Sequence, residues 1–139
     1  MTTDQLQAYL VGEFPQAFGP GQAHRIEAAG EGAALVRLEA ADQHLRPCGT
    51  VSGPALMGLA DIAAYAAILA AIGEVPLAVT TNFSINFLRK PTPGAILAEA
   101  RLLKLGKRLA VCEVDLRSEG DDELCAHAVT TYSIPTTGA

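Results

Sequence analysis

With 139 residues, the chain is long enough to bury a real core, and we predict a single domain over residues 1–139. A net charge of −5 argues against nucleic acid as the principal partner. Hydrophobic residues make up 50% of the chain and the mean hydropathy is +0.25. Because a monomer of this size would struggle to hide that much apolar surface, we expect an oligomer.

Neither the N-terminus nor the cysteines indicate export. Asp4 stands where a secretory signal would carry basic residues, so no signal peptide is expected. The three cysteines are odd in number and lack metal-ligand spacing, which favours reduced thiols in a cytoplasmic protein. Cys112 and Cys125 are predicted to pack as small hydrophobic residues.

The first part of the chain indicates one helix and two strands. Residues 3–14 have helical apolar spacing with Thr3 as the N-cap, and the prolines and glycines of residues 15–21 predict a loop. Residues 24–29 and 34–40 are strand candidates around a turn at Glu31-Gly32. Residues 42–51 form a polar loop.

The most apolar stretch, residues 55–72, follows Ser52-Gly53-Pro54 and ends before Gly73. Apolar residues fill every face, which predicts a helix buried on all sides. Its single charge, Asp61, needs partners there because desolvating a carboxylate is costly. The stretch is short for a membrane span and Glu74 flanks it, so we expect a buried helix and no membrane partner.

Four strand-like segments follow the helix. They cover residues 75–88, 95–105, 108–118 and 123–134. In the first, strict alternation places Phe83 and Phe87 on one face, and Thr80 and Asn82 on the other. Hairpins join the later strands, so the sheet is antiparallel and must wrap around the helix to cover it. We predict an α+β fold, with one antiparallel sheet around a long central helix and an N-terminal helix.

Three short stretches resemble the signature of a known family. Residues 44–54 read HLRPCGTVSGP, residues 59–61 read LAD, and residues 87–91 read FLRKP. With the order of the elements, these stretches resemble the hotdog fold and its PaaI-like branch of acyl-CoA thioesterases. That branch carries an H-G-G-x4-L-x-D signature at the start of the central helix and an F-L-R-P turn. Gly53, Leu59 and Asp61 match it, whereas Ser52 replaces the usual His and Pro54 the second Gly.

The resemblance implies hydrolysis of an acyl-CoA thioester to CoA and a carboxylic acid. Asp61 would be the general base or nucleophile, and an N–H near Gly53, at the helix start of a facing subunit, would polarise the thioester carbonyl. Pro54 has no N–H, which narrows the donor to Gly53 or a later residue. Thr80 lies near the family's water-orienting Ser or Thr. Ser52 is predicted to be a helix N-cap rather than a nucleophile, since no His stands at an activating spacing.

Other residues are assigned to substrate binding, most of them as partners for the CoA phosphates at turns. The set is Arg46 (near the family's usual Asn), Ser52, Asn82, Arg89, Lys90, Lys107 and Arg108. His24, His44 and His127 share no ligand spacing, so neither a metal nor a cofactor beyond the CoA of the substrate is expected.

The resemblance also implies a homodimer or homotetramer with the active site at a subunit interface. Leu109, Val111 and Val129, on the sheet face away from the helix, are consistent with such an interface. The alternative function is a non-catalytic hotdog protein that binds acyl-CoA or an aromatic ligand, which the replaced His and Gly favour. A hotdog hydratase or dehydratase is weaker, because no His lies between His44 and His127.

Overall fold

The computed structural model describes residues 1–47, 49–75, 77–92 and 94–135. Three internal residues lie outside the described residues, as does the tail after Pro135: Cys48 in the predicted polar loop, Pro76 in the predicted strand 75–88, and Pro93 in the predicted turn. The helices are α1 (Thr3–Glu13), α2 (Pro15–Phe18) and α3 (Gly53–Ile72), and a 3-10 turn spans Asp42–His44. The strands are β1 (His24–Gly30), β2 (Ala33–Glu39), β3 (Val79–Phe87), β4 (Ala95–Leu105), β5 (Leu109–Ser118) and β6 (Ala126–Ser133).

One six-stranded antiparallel sheet, in the order β1-β2-β4-β5-β6-β3, wraps around α3. The predicted fold class is therefore confirmed. Inward residues of β5 and β6 are buried in alternation, as the sequence pattern predicts. Cys112 and Cys125 are buried as predicted, and burial raises the pKa of the Cys112 thiol to about 12.

Two predictions about helix ends differ in outcome. The N-cap of α1 is Thr2 rather than Thr3. The Thr2 hydroxyl accepts a hydrogen bond from the backbone N–H of Gln5, and the Gln5 side-chain oxygen accepts one from the backbone N–H of Thr2. Thr3 instead accepts from the backbone N–H of Ala29 and ties α1 to β1. Gly73 ends α3 as predicted, with a φ of 83° that suits glycine.

The prediction that α3 is buried on every side is wrong for one face. The sheet covers most of the helix, and the alanines there permit close approach of the strands. A stripe at helical spacing is left open, however, with Met57 41% exposed and Gly58 also exposed. The stripe consists of Pro54, Met57, Gly58, Asp61, Ile62 and Tyr65.

The helix α3 is long and apolar enough to cross a membrane by length and composition, but most of it is buried within the fold. The helix is apolar because most of its surface packs against the surrounding sheet. The edge strand β3 borders the open stripe and is largely exposed, with Val79 at 57% and Phe87 at 51%. The open stripe of α3 and the free edge of β3 together form an uncovered apolar surface.

Candidate active site

Asp61 lies on the open stripe of α3 and is half-buried. Its Oδ1 atom accepts two hydrogen bonds, one from the Thr80 hydroxyl at 2.6 Å and one from the Tyr132 hydroxyl at 2.7 Å. Within the described part of the chain, no residue donates to the second oxygen, Oδ2. The arrangement therefore occupies one oxygen of the carboxylate with hydrogen bonds and leaves the other available to a substrate or a water.

A β-bulge brings Thr80 to Asp61. The register of β3 against β6 shifts between Thr80 and Asn82, so Thr81 is an extra residue. Thr80 consequently shares the helix-facing side with Phe83, and Asn82 lies on the opposite face. The strict alternation predicted for this strand, with Thr80 and Asn82 on the same face, is wrong because the bulge reverses the parity.

Tyr132 is a site residue that the sequence interpretation missed. It pairs directly with Thr80 across the two strands, is only 3% exposed, and stacks on Tyr65 with ring centroids 6.1 Å apart. Burial first, and the negative charge of Asp61 next, raise the pKa of the Tyr132 hydroxyl, which therefore stays protonated as a donor at neutral pH. The alternation of buried residues along β6 indicates that Tyr132 points inward. Only the pairing register of β3 and β6 shows that Asp61 is its hydrogen-bond partner.

Asp61, Thr80 and Tyr132 border a cavity of about 480 Å³. Its remaining lining is mostly apolar and comes from the end of α1, from α3 and from the start of β3. These residues are Glu13, Phe14, Ile62, Tyr65, Leu77, Ala78 and Val79. A second cavity of about 290 Å³ lies on the other side of Asp61 and Thr80, along the open stripe at Met57 and Gly58. Apolar space beside a hydrogen-bonded carboxylate suits an acyl group.

The start of α3 forms a separate site. Ser52 is the N-cap as predicted, since its hydroxyl accepts from the amide of Ala55 at 3.2 Å. A cavity of about 470 Å³ adjoins this helix start and brings Arg46, Gly53, Arg89 and Lys90 together. Four of the predicted site residues thus share one cavity, where a helix N-terminus and basic side chains favour an anion.

The basic residues of this cavity differ in how far their charge is already paired. Arg89 forms ion pairs with Glu123 and, at 3.6 Å, with Asp121. Among the residues that the structure describes, neither Arg46 nor Lys90 has an acidic partner within ion-pair distance. Their charge is the part of the cavity most available to a phosphate.

Lys107 and Arg108 are not brought to this cavity. They occupy the hairpin between β4 and β5, at the sheet end where Leu109 pairs with Ser133 and where β3 begins at Val79. The start of α3 lies at the other end, where Gly53 faces the ring of Phe87. Within one chain, the predicted phosphate contacts therefore divide between two ends of the sheet.

Gly53 and Asp61 are also apart within one chain. They are eight residues apart on α3, which corresponds to about 12 Å of helix rise. A backbone N–H at the helix start therefore cannot act on the same atom as the Asp61 carboxylate of its own chain.

The three histidines do not share one cluster. The rings of His24 and His44 meet edge-to-face at 6.4 Å, whereas His127 contacts Glu113 at 2.8 Å and lies 3.9 Å from Asp115. The ligand atoms of these last three residues are close enough together to hold a cation. Arg101 already pairs with both carboxylates there, at 3.1 and 3.2 Å, and lies with them on the sheet face away from α3.

Comparison with known proteins indicates the family to which the chain belongs. A thioesterase superfamily model matches residues 48–125, which include α3 and Asp61. A crystal structure from Silicibacter sp. TM1040, described as a "putative thioesterase", is 48% identical with a TM-score of 0.86 and covers 96% of this chain and 91% of that one. A mutant of the phenylacetic acid degradation protein PaaI from Thermus thermophilus is 27% identical with a TM-score of 0.71, over 81% of this chain and 94% of that one.

A third structure, a Streptococcus mutans protein bound to acetyl-CoA, shares the fold at 21% identity and a TM-score of 0.73, over 84% of this chain and 91% of that one. The family and the two more similar structures favour a thioester hydrolase over a non-catalytic binding protein. The chain belongs to the thioesterase superfamily, in which it is a PaaI-like hotdog thioester hydrolase.

Proposed function

We propose that the protein hydrolyses acyl-CoA thioesters in the cytoplasm, with Asp61 as the general base or nucleophile. The observation that carries this proposal is the anchoring of Asp61 Oδ1 by two hydroxyls, which leaves Oδ2 beside an apolar cavity. The acetyl-CoA complex on the same fold supports a CoA thioester as the substrate class.

Two chemical routes fit this geometry. In the first, Oδ2 removes a proton from a water that attacks the thioester carbonyl. In the second, Oδ2 attacks the carbonyl directly, and water then hydrolyses the resulting mixed anhydride. In both routes the C–S bond breaks, the CoA thiolate leaves and takes up a proton, and the acyl group is released as a carboxylic acid.

We propose that Gly53 of a second copy supplies the N–H that polarises the carbonyl. The separation of Gly53 and Asp61 within one chain supports a second copy as the source of this N–H, and the uncovered surface of α3 and β3 is where that copy would bind. Gly58 lets two helices approach closely because it has no side chain, and a Cβ built there would meet no described atom within 4 Å. An antiparallel arrangement of the two α3 helices would set Gly53 of each beside Asp61 of the other.

A homotetramer would additionally cover the outer sheet face near Leu109, which is 53% exposed.

We propose that Arg46, Lys90 and Arg89 bind the CoA phosphates at the start of α3, with Ser52 shaping that wall. We propose that Lys107 and Arg108 contact a more distant part of CoA. Asn82 would be a substrate contact on the β3 face opposite to Asp61, beside the edge that the second copy would cover.

Thioester hydrolysis by the purified protein tests the proposal. We expect turnover of at least one member of an acyl-CoA panel, followed with a thiol reagent. Asp61→Asn, which keeps the size of the side chain, should lower kcat by about 10²- to 10⁴-fold with little change in KM. A kcat for Asp61→Asn equal to that of the wild type would refute the role of Asp61.

A mixing experiment tests the two-copy site. Gly53→Pro removes the proposed N–H, and co-expression with Asp61→Asn gives mixed dimers with one intact site and one doubly altered site. Random pairing should restore about a quarter of the wild-type activity. No recovery above either parent, with mixed dimers demonstrated by tag pull-down, would place the site within one chain.

We also propose that hydrolysis needs no metal and no bound cofactor. The partners of Asp61 Oδ1 are two hydroxyls. The group of side chains at His127 that could hold a cation lies on the other face of the sheet. Dialysis against EDTA should leave kcat unchanged. A loss that Mg²⁺ or Zn²⁺ restores would contradict this.

A further inference from the structure

We propose that Tyr132 is a positioning residue for catalysis, which holds Oδ1 of Asp61 so that Oδ2 is directed at the thioester. This inference rests on the proposed function, because it assigns Tyr132 a role through Asp61. Tyr132 does not belong to any stretch that carries the family resemblance, and it lies 71 positions after Asp61 in the chain.

The first support is that the hydroxyls of Thr80 and Tyr132 converge on one oxygen of Asp61. Thr80 and Tyr132 are directly opposite on β3 and β6, so their side chains emerge side by side on the helix-facing side of the sheet. Both hydroxyls reach the same oxygen, at 2.6 and 2.7 Å. Because two donors meet one oxygen, the carboxylate cannot rotate without breaking both hydrogen bonds.

The second support is that Tyr132 holds the helix as well as the carboxylate. Its hydroxyl lies 2.9 Å from the main-chain oxygen of Asp61, in addition to its bond to Oδ1. The ring stacks on Tyr65, and the residue opposite Tyr132 on β5 is the small Ala110. Because the hydroxyl has one proton, the two oxygens of Asp61 share it, and this bond ties β6 to α3 at the carboxylate.

The third support is the difference in burial between the two donors. Thr80 is exposed in one chain, so water competes for its hydrogen bond, whereas Tyr132 is 3% exposed. A hydrogen bond between a buried hydroxyl and a carboxylate is strengthened by the low local dielectric. Tyr132 is therefore the firmer anchor, and Thr80 remains accessible enough to contact a water as well.

Tyr132→Phe tests the inference, because it keeps the ring and removes only the hydroxyl. Loss of a hydrogen bond to a charged group should lower kcat by about 10- to 100-fold, with KM nearly unchanged. The control is Thr3→Val on α1, which removes a hydroxyl whose partner is the backbone N–H of Ala29 rather than Asp61 and should leave both constants unchanged. Equal kcat values for Tyr132→Phe and wild type would overturn the inference.

A double-mutant cycle distinguishes positioning from general packing. Because Thr80 and Tyr132 share one acceptor, each partly compensates for loss of the other. The Thr80→Val, Tyr132→Phe double variant should therefore lose more than the product of the two single losses. Simple multiplication of the losses would mean that the two hydroxyls act independently, which contradicts shared anchoring of Asp61.

The failure of this inference is distinguishable from failure of the proposed function. If Asp61→Asn is inactive while Tyr132→Phe is fully active, only the role of Tyr132 is wrong. If Asp61→Asn is fully active, the proposed function itself is wrong. Should Tyr132→Phe fold poorly by circular dichroism, 3-fluorotyrosine at position 132 replaces it: a changed kcat at constant KM supports the inference, and an unchanged kcat overturns it.

Discussion

The two ends of the proposed site differ in how complete they are within one chain. At the carboxylate end, Asp61 receives hydrogen bonds from two strands, and one of the donors is buried. At the helix start, Gly53 and Lys90 border an open cavity, and the Ser52 hydroxyl caps the amide of Ala55. The carboxylate end is held by the fold of the chain itself, whereas the helix start presents N–H groups outward.

This difference indicates which interactions folding secures and which must be supplied by assembly and substrate. The anchored carboxylate is formed before any partner binds, so it contributes an oriented reactive group. The helix start gains its proposed role only when a second copy brings it to the thioester. Substitutions at the two ends should consequently have different signatures.

The largest effect at the helix start is expected from Gly53→Pro. Proline fits the first turn of a helix but has no N–H, so the proposed oxyanion donor is removed. We expect kcat to fall by about 10²- to 10³-fold. Gly53→Ala is the matched control, because it adds a Cβ near the Phe87 ring at 3.4 Å but keeps the N–H. Equal losses in the two variants would assign the effect to crowding rather than to the donor.

A smaller loss is expected from Thr80→Val at the carboxylate end. Valine preserves the β-branched shape in the strand and removes the hydroxyl that donates to Asp61. We expect kcat to fall by about tenfold. Thr80→Ser keeps the hydroxyl and should remain close to wild type. If Thr80→Ser is as impaired as Thr80→Val, the methyl group rather than the hydroxyl is what the site requires.

The sequence was sufficient for the fold because the fold depends on periodicity and turns. The central helix, its Ser52 cap and six strands follow from local patterns, and their ends differ from prediction by only a few residues. Asp61 also stood out, since a lone charge in an apolar helix needs an explanation. These features are all encoded within short segments.

The contacts of Asp61 could not be predicted, because they depend on a bulge and a register. Strict alternation placed Thr80 on the wrong face, and a single extra residue, Thr81, corrects it. Tyr132 becomes a partner of Asp61 only once β6 is paired with β3 in that register. The open stripe at Met57 was missed for a related reason: an apolar helix face that is left open has the same composition as one that packs on the sheet.

A still smaller effect, confined to KM, is expected from the basic residues of the helix start. Lys90→Met removes a charge that has no acidic partner among the described residues, and it should raise the KM for acyl-CoA about threefold to tenfold without changing kcat. Raising the salt concentration should reduce the difference from wild type. Lys107→Met, at the other end of the sheet, should have a smaller effect on KM. A larger effect there would move the phosphate site to the β4–β5 hairpin.

The smallest effect on activity is expected from Ser52→Ala, which nevertheless separates two interpretations of that residue. Loss of the cap to the Ala55 amide should cost about 1 kcal/mol of stability and lower Tm by about 2–4 °C. Ser52→Asn should retain the cap and the melting temperature. Because Ser52 is assigned no chemical step, kcat should stay close to wild type in both variants. If kcat falls strongly in both Ser52→Ala and Ser52→Asn, the Ser52 hydroxyl takes part in the reaction. The helix start would then hold a reactive group in addition to the N–H donor of Gly53.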